Sequence, residues 1–324
     1  MIQTEAAAPV RLPTPAAAGR AMTWQVWAAL GLVYVVWGST YLAIRITVRE
    51  LPPLYSASAR FLVAGLLMLA IALARREWRT VSWRGIGLAA VPGVLLVAGG
   101  NGSVMIAEQT LQSSLAALIV ALSPLLMAVM TMVLDRRLVS LRAGVGLLLG
   151  FAGLVLLVRP QPGGHVPLGA ALIMLLAATL WAAGSVFAGR RGTAGMSASA
   201  TSGFQMLAGA IALAIVALGA REQVPTALSP AAVPSLEALV YLVVVGALVG
   251  YTAYSWLLSR APISIVSTYA YVNPVVAIAL GVVLLQEHLG LIEIIASAVI
   301  LSGVALIVSA PRPRVRAKAA AKAA

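Results

Sequence analysis

Ten runs of about 20 predominantly apolar residues, joined by short polar segments, make up most of the chain, and about 20 such residues are what an α-helix needs to cross a bilayer's hydrocarbon core. With no water to bind exposed backbone groups there, each run is predicted to be helical. The runs are Trp24 to Ile44, Leu54 to Ala74, Gly85 to Ala107, Leu111 to Leu134, Leu141 to Val158, Pro167 to Ala188, Ser197 to Leu218, Ser235 to Leu257, Ile263 to Leu285 and Leu289 to Ser309. Short joints make neighbouring helices antiparallel and leave no room for a large soluble domain. The first run is as long as the others and lacks a convincing cleavage site, so it is expected to be a span and not a signal peptide.

Composition agrees. The chain is 61% hydrophobic and 10% charged, with mean hydropathy +1.01, against roughly a quarter charged in ordinary globular domains. A net charge of +13 would suggest nucleic-acid binding in a soluble protein. Here the basic residues lie between apolar runs, so no nucleic-acid partner is expected. The absence of Cys excludes disulfides and thiolate chemistry. His165 and His288 fall in joints between runs, no His, Asp and Glu set has metal-ligand spacing, and neither metal nor cofactor is expected.

Lys and Arg set the orientation. Placing the N-terminus, the joints after runs 2, 4, 6 and 8, and the C-terminus on one side collects 17 basic residues there against 4 opposite, with Arg60 inside run 2. Both termini are therefore expected to be cytoplasmic. The basic tail from 310 to 324 is expected to touch anionic headgroups.

Shifting the chain by 150 residues overlays Gly100 on Gly250, Ser114 on Ser264, Pro124 on Pro274, Gly153 on Gly303 and Val158 on Val308. A shift of 144 overlays Trp37 on Trp181 and Gly65 on Gly209. The chain thus divides into an N-terminal segment (1–23), a first five-helix repeat (24–158), a turn-rich linker (159–166), a second five-helix repeat (167–309) and the tail. Five is odd, so the second repeat enters the membrane from the opposite side. The expected fold is an all-α integral membrane protein with ten transmembrane helices in a five-plus-five inverted-topology repeat, an arrangement suited to alternating access around a midplane site.

The motifs "WGSTYLAIR", "ARFLVAG", "ALIVALSPLLMAVM" and "TYAYVNPVVAIALGVVLLQEHL", on ten spans in two halves, resemble those of the EamA-type drug/metabolite transporter superfamily over nearly the whole chain. The resemblance implies an inner-membrane carrier, usually an exporter of amino acids, other metabolites or drugs. It also implies an acidic residue after span 4 to match Glu287 after span 9. The sequence departs there, with Asp135 displaced and Arg137 near the equivalent place.

Polar residues in lipid face a cavity or a neighbouring helix. Tyr34, Trp37, Tyr41 and Arg45 recur at i, i+3, i+7 and i+11 on one stripe of span 1, with Ser39 beside them, and Arg45 is read as the outer-end anchor. Asn101, Met105 and Glu108 form a stripe on span 3, and Tyr251 and Tyr254 on span 8. Span 9 offers Ser264, Ser267, Thr268 and Tyr271. Trp181 and Ser185 on span 6 and Gln205 on span 7 complete the set. Pro124 and Pro274, preceded by Ser123 and Asn273, sit at equivalent mid-span positions and free backbone carbonyls beside the expected site. For a single Ser or Thr, a bond to its own backbone or a neighbouring helix competes with cavity lining.

Arg60 is expected to pair with Glu108, Glu287 or Glu293, all toward the outer side, as a structural or gating pair. Were export proton-driven, Glu108 and Glu293 would be the first carboxylates to carry the proton; facilitated diffusion or exchange fits equally. The spacing "GLLLG" from Gly146, with Gly153, is a close-packing face, expected within a monomer and alternatively in a homodimer. The function expected is secondary transport of a small organic molecule across the inner membrane, by export, with that substrate and the bilayer as partners and an importer or exchanger of the same fold as the alternative. A membrane-embedded enzyme would need clustered His, Asp or Cys, and a channel a ring of charge or a repeated filter loop. No such pattern is present, and no P-loop.

Overall fold

A computed structural model of the chain describes residues 23–136, 141–158, 166–224, 229–261, 266 and 268–308. The N-terminal segment up to residue 22, most of the linker including His165, Arg137, Ser264, Ser267 and the tail lie outside the described residues. Among the described residues every regular element is helical. Besides the short 3-10 helices Glu77–Thr80 and Pro230–Ala232, the long helices in chain order are α1 (Trp24–Thr47), α2 (Pro53–Ala74), α3 (Trp83–Ala107), α4 (Ser113–Asp135), α5 (Leu141–Val158), α6 (Leu168–Arg191), α7 (Ala198–Gly219), α8 (Val233 to Arg260), α9 (Tyr269–Leu285) and α10 (Leu291–Val308). Seven helices, α1 to α4 and α6 to α8, are long and apolar enough to cross a membrane. The apolar parts of α5, α9 and α10 are shorter, Gly144–Leu157, Val272–Leu285 and Leu291–Leu306. These three fall on the expected fifth, ninth and tenth spans. With 18 residues, α5 is about 27 Å long, close to the hydrocarbon thickness.

Three helices depart from the regular rods that periodicity predicts. In α3, Gly93–Asn101 is wound as a π-helix, and in α8, Leu242–Val249 is wound the same way. The wider turn of α3 is closed by the Asn101 side chain, whose Nδ2 donates to the Leu96 carbonyl five residues back at 3.2 Å. In α4 the helix breaks between Val120 and Ser123. Pro124 has no N–H for the Val120 carbonyl, and the Ser123 hydroxyl donates to that carbonyl at 2.6 Å instead. Pro274, by contrast, lies inside an unbroken α9.

Lipid is as apolar as a leucine side chain, so helices in it associate through close packing and hydrogen bonds. The helix contacts follow that rule. A Cβ on Gly303 of α10 would stand 2.6 Å from the Gly146 carbonyl oxygen and 2.7 Å from the Gly150 nitrogen of α5. The "GLLLG" face is thus buried against α10 of the same chain. On α2 and α7, Gly65 and Gly203 face each other, a Cβ on either falling 3.1 to 3.2 Å from the other's carbonyl oxygen. The most extensive packing joins α2 to α7 and α5 to α10, while α1 lies against α8 and α9, and α6 against α3 and α4.

Hydrogen bonds at the two ends sort the joints. At one end Arg45 Nη1 donates to the Glu108 carbonyl, and the Glu222 carboxylate accepts from the Leu54 and Tyr55 nitrogens at 2.9 and 2.8 Å. The Glu287 carboxylate caps α4 there, accepting from the Ser113 nitrogen and hydroxyl at 2.8 Å each, the Ser114 nitrogen at 3.1 Å and the Ser114 hydroxyl. At the other end the Ser197 nitrogen donates to Thr80 Oγ1 at 3.0 Å and Arg190 pairs with Asp135 at 2.5 Å. Neighbouring helices are antiparallel, as the short joints require.

Candidate functional site

A cavity of about 120 Å³ lies between the helices, lined from α1, α2, α3, α4, α6, α8 and α9. Its wall on one side is aromatic. The Trp37 ring meets Tyr251 at 5.9 Å, Tyr254 at 5.0 Å and Tyr269 at 5.1 Å, with Tyr251 and Tyr269 edge-on. Tyr254 and Tyr269 close the cluster edge to face at 5.8 Å. Offset and edge-on geometries of this kind are the favoured ones for aromatic quadrupoles. Gly250 makes room for it, since a Cβ there would stand 2.9 Å from Trp37 Cδ1. Across the cavity, Trp181 rests on Gly100, whose Cβ would be 3.2 Å from Trp181 Cε3, among the small side chains of Ala117, Ala121 and Ala177.

Part of the lining comes from irregular backbone. Gly100 and Asn101 lie in or at the end of the π segment of α3, Gly246 lies in that of α8, and Ser123 and Pro124 follow the break in α4. A π turn carries one extra residue and displaces the side chains around it, a distortion frequent at functional sites. Asn273 and Pro274 of α9 complete the opposing wall.

Of the residues proposed from sequence, Trp37, Tyr41, Asn101, Ser123, Pro124, Trp181, Tyr251, Asn273 and Pro274 line this cavity. Tyr254 is not among the lining residues and lies with its ring tilted against Trp37. Ser39 is buried away from the cavity, bonding the Val36 carbonyl at 2.8 Å and the Tyr241 hydroxyl at 2.6 Å. Ser185 and Gln205 are not among the lining residues. Tyr271 lies within α9, and its side chain is outside the described residues. Tyr269, Thr40 and Phe61 line the cavity and were not anticipated. Tyr269 could have been found by stepping one turn back from Asn273 instead of counting forward from Ser264.

Arg60 lines the cavity and is 5% exposed. The expected pairing with Glu108, Glu287 or Glu293 is not formed: Arg190 with Asp135 is the only ion pair among the described residues. Each glutamate is engaged or placed elsewhere. Glu287 is committed to the α4 cap, which spends its charge on helix N–H groups. Glu293 accepts from the Gly290 nitrogen at the start of α10. Glu108 is fully buried at the end of α3, with both carboxylate oxygens lacking a hydrogen-bond partner, and the charges acting on it are Arg45 and Glu287. Among the described residues no group of three or more His, Asp or Glu could hold a metal ion.

The sequence matches the family model described as "EamA-like transporter family" twice, over residues 23–159 and 168–309. The chain belongs to the EamA-like transporter family. This EamA-like chain is 38% identical over 290 residues to a protein of Escherichia coli (strain K12) named "Uncharacterized inner membrane transporter YedA", covering 87% of this chain and 90% of that one. It is 26% identical over 279 residues to "Uncharacterized transporter YvbV" of Bacillus subtilis, covering 86% and 90%, and 28% identical over 279 residues to "Protein PecM" of Dickeya dadantii, covering 84% and 88%. A solved crystal structure shares the fold with TM-score 0.58 and 24% identity, over 87% of this chain and 95% of that one.

Proposed function

We propose that this membrane protein is a secondary carrier of the inner membrane, moving a small organic molecule outward by alternating access. The observation that carries the reading is the cavity itself, built jointly by helices from both halves of the chain and walled by aromatic and polar side chains. Many secondary carriers bind their substrate near the midplane, at the interface of two repeats. The two stretches that match the family model, 23–159 and 168–309, support a five-plus-five organisation.

Further support for an inverted repeat lies in paired irregularities. The π segments start at Gly93 and Leu242, and the left-handed residues that end helices fall at Arg136 and Gln286, and at Arg76 and Arg221. All these pairs keep nearly the offset found in the sequence. The packing is reciprocal too, because α1 lies on α8 and α9 as α6 lies on α3 and α4. Two halves so related can exchange arrangements at little energetic cost, which is what inward-open and outward-open states demand. In this scheme both termini are cytoplasmic, and Glu108, buried without a donor, is the carboxylate suited to proton exchange.

The test is reconstitution of the purified protein into liposomes with labelled amino acids, organic acids and cationic drugs, with and without a pH gradient. Saturable flux of one class is the expected result. Absence of flux for every class would overturn the carrier reading, and an unchanged pH response in Glu108→Gln would remove that residue from coupling.

A further inference from the structure

Among the described residues the cavity holds one buried cation, Arg60, and no carboxylate paired with it. Arg60 Nε and Nη1 have no hydrogen-bond partner, and no carboxylate of the described residues pairs with the guanidinium. Its charge faces the Phe61 ring, 4.7 Å from the guanidinium carbon to the centroid. A ring face offsets part of the lost hydration but accepts no directed hydrogen bond in the guanidinium plane. Space is kept for the group: a Cβ on Gly246 would lie 3.3 Å from Arg60 Nη2 and 3.1 Å from Thr40. A second polar atom is also unmatched, since Asn273 Oδ1 is buried on the same cavity without a partner.

We propose that the substrate is a small organic monocarboxylate, its carboxylate held by the Arg60 guanidinium and its apolar or aromatic body laid against Trp37, Tyr251 and Tyr269. The inference rests on reading the cavity as a transport site and adds the chemical class. An unpaired charge in a membrane interior is strongly unfavourable, and the guanidinium fork matches a carboxylate through two parallel hydrogen bonds. A single cation suits a single negative charge. No other Arg or Lys lines the cavity among the described residues, so a phosphate dianion would arrive with charge left over. The aromatic cluster alone would suit an organic cation, but Arg60 on the same cavity repels one. The unmatched Asn273 Oδ1 leaves an acceptor for a second group, such as the ammonium of an α-amino acid.

Phenylacetate, L-phenylalanine and phenethylamine share one ring and differ in carrying a carboxylate, both charged groups, or an amine alone. Their binding to the full-length protein in nanodiscs is measured by equilibrium dialysis, and their uptake in proteoliposomes. At least one carboxylate should bind at least about tenfold more tightly than phenethylamine, and Arg60→Gln should remove most of that preference. Arg60→Lys, which keeps the charge and loses the fork, should retain part of it. Equal binding of phenethylamine, failure of both carboxylates to bind, or wild-type carboxylate binding by a folded Arg60→Gln would overturn the proposal. Should Arg60→Gln not fold, the comparison of the three probes on the wild-type protein decides alone. Arg60-dependent binding without flux would sink the transport reading and keep the anion site. Flux indifferent to the carboxylate and to Arg60 would do the reverse.

Discussion

Arg60 and Glu287 show how differently two buried charges can be treated. Glu287, 9% exposed, accepts from two backbone nitrogens and two hydroxyls of Ser113 and Ser114. Replacing it by Ala strands those buried donors, so Glu287→Ala should lower stability by about 2 to 3 kcal/mol, measured as a fall in the thermal midpoint of the detergent-solubilised protein. Arg60 has no such partners. Removing a buried charge that nothing neutralises relieves a desolvation penalty, so Arg60→Met should leave the midpoint of the substrate-free protein unchanged or raise it. A fall as large as that of Glu287→Ala would mean that the guanidinium is part of the scaffold. Both residues could be named from sequence as costly intramembrane or interfacial charges. Which of them is satisfied could not, because the serine that begins the Glu287 cap, Ser113, lies 174 positions away.

At the scale of the helices, the positions of the rods were legible from the length of the apolar runs, and their interruptions only in part. Pro124 marks the break in α4, but the carbonyl it frees is taken by its own neighbour Ser123, so that carbonyl has a partner within the chain. The π segments of α3 and α8 have no proline at their centre and carry no periodic signal in so uniformly apolar a stretch. Helix contacts were better marked, because Gly is the residue that lets backbones approach. Gly303→Val would place side-chain atoms against the backbone of Gly146 and Gly150. We expect a loss of about 1 to 3 kcal/mol from overpacking, read in the same thermal assay. Gly31, with nothing within 4 Å of a built Cβ, should accept Ala without loss.

For the whole molecule, the end that gathers the joints after α1, α3, α7 and α9 should face outward, since it is the side poor in Lys and Arg. The chain has no Cys, so a single introduced thiol reports without background. In intact cells a membrane-impermeant maleimide should label Gln109→Cys and Gln286→Cys, and label Arg79→Cys and Arg191→Cys only after the membrane is permeabilised. All four positions are exposed. Labelling of the second pair in intact cells would reverse the orientation.

The sequence by itself determined the solvent, the helical class, the register of most spans and the family, because each is written in local apolar length or in motifs a few residues long. It also named ten of the residues that line the cavity, Arg60 among them, since a polar or aromatic side chain inside an apolar run is costly unless it faces something. Only the tertiary structure decided that Tyr269 joins Trp37 in one aromatic wall, that Ser39 turns away to Tyr241, and that the glutamates expected to neutralise Arg60 are engaged or placed elsewhere. Those outcomes depend on which faces of distant helices meet. Nearly uniform hydrophobicity leaves a helix free to rotate about its axis until close packing at glycines and a few long-range hydrogen bonds fix it.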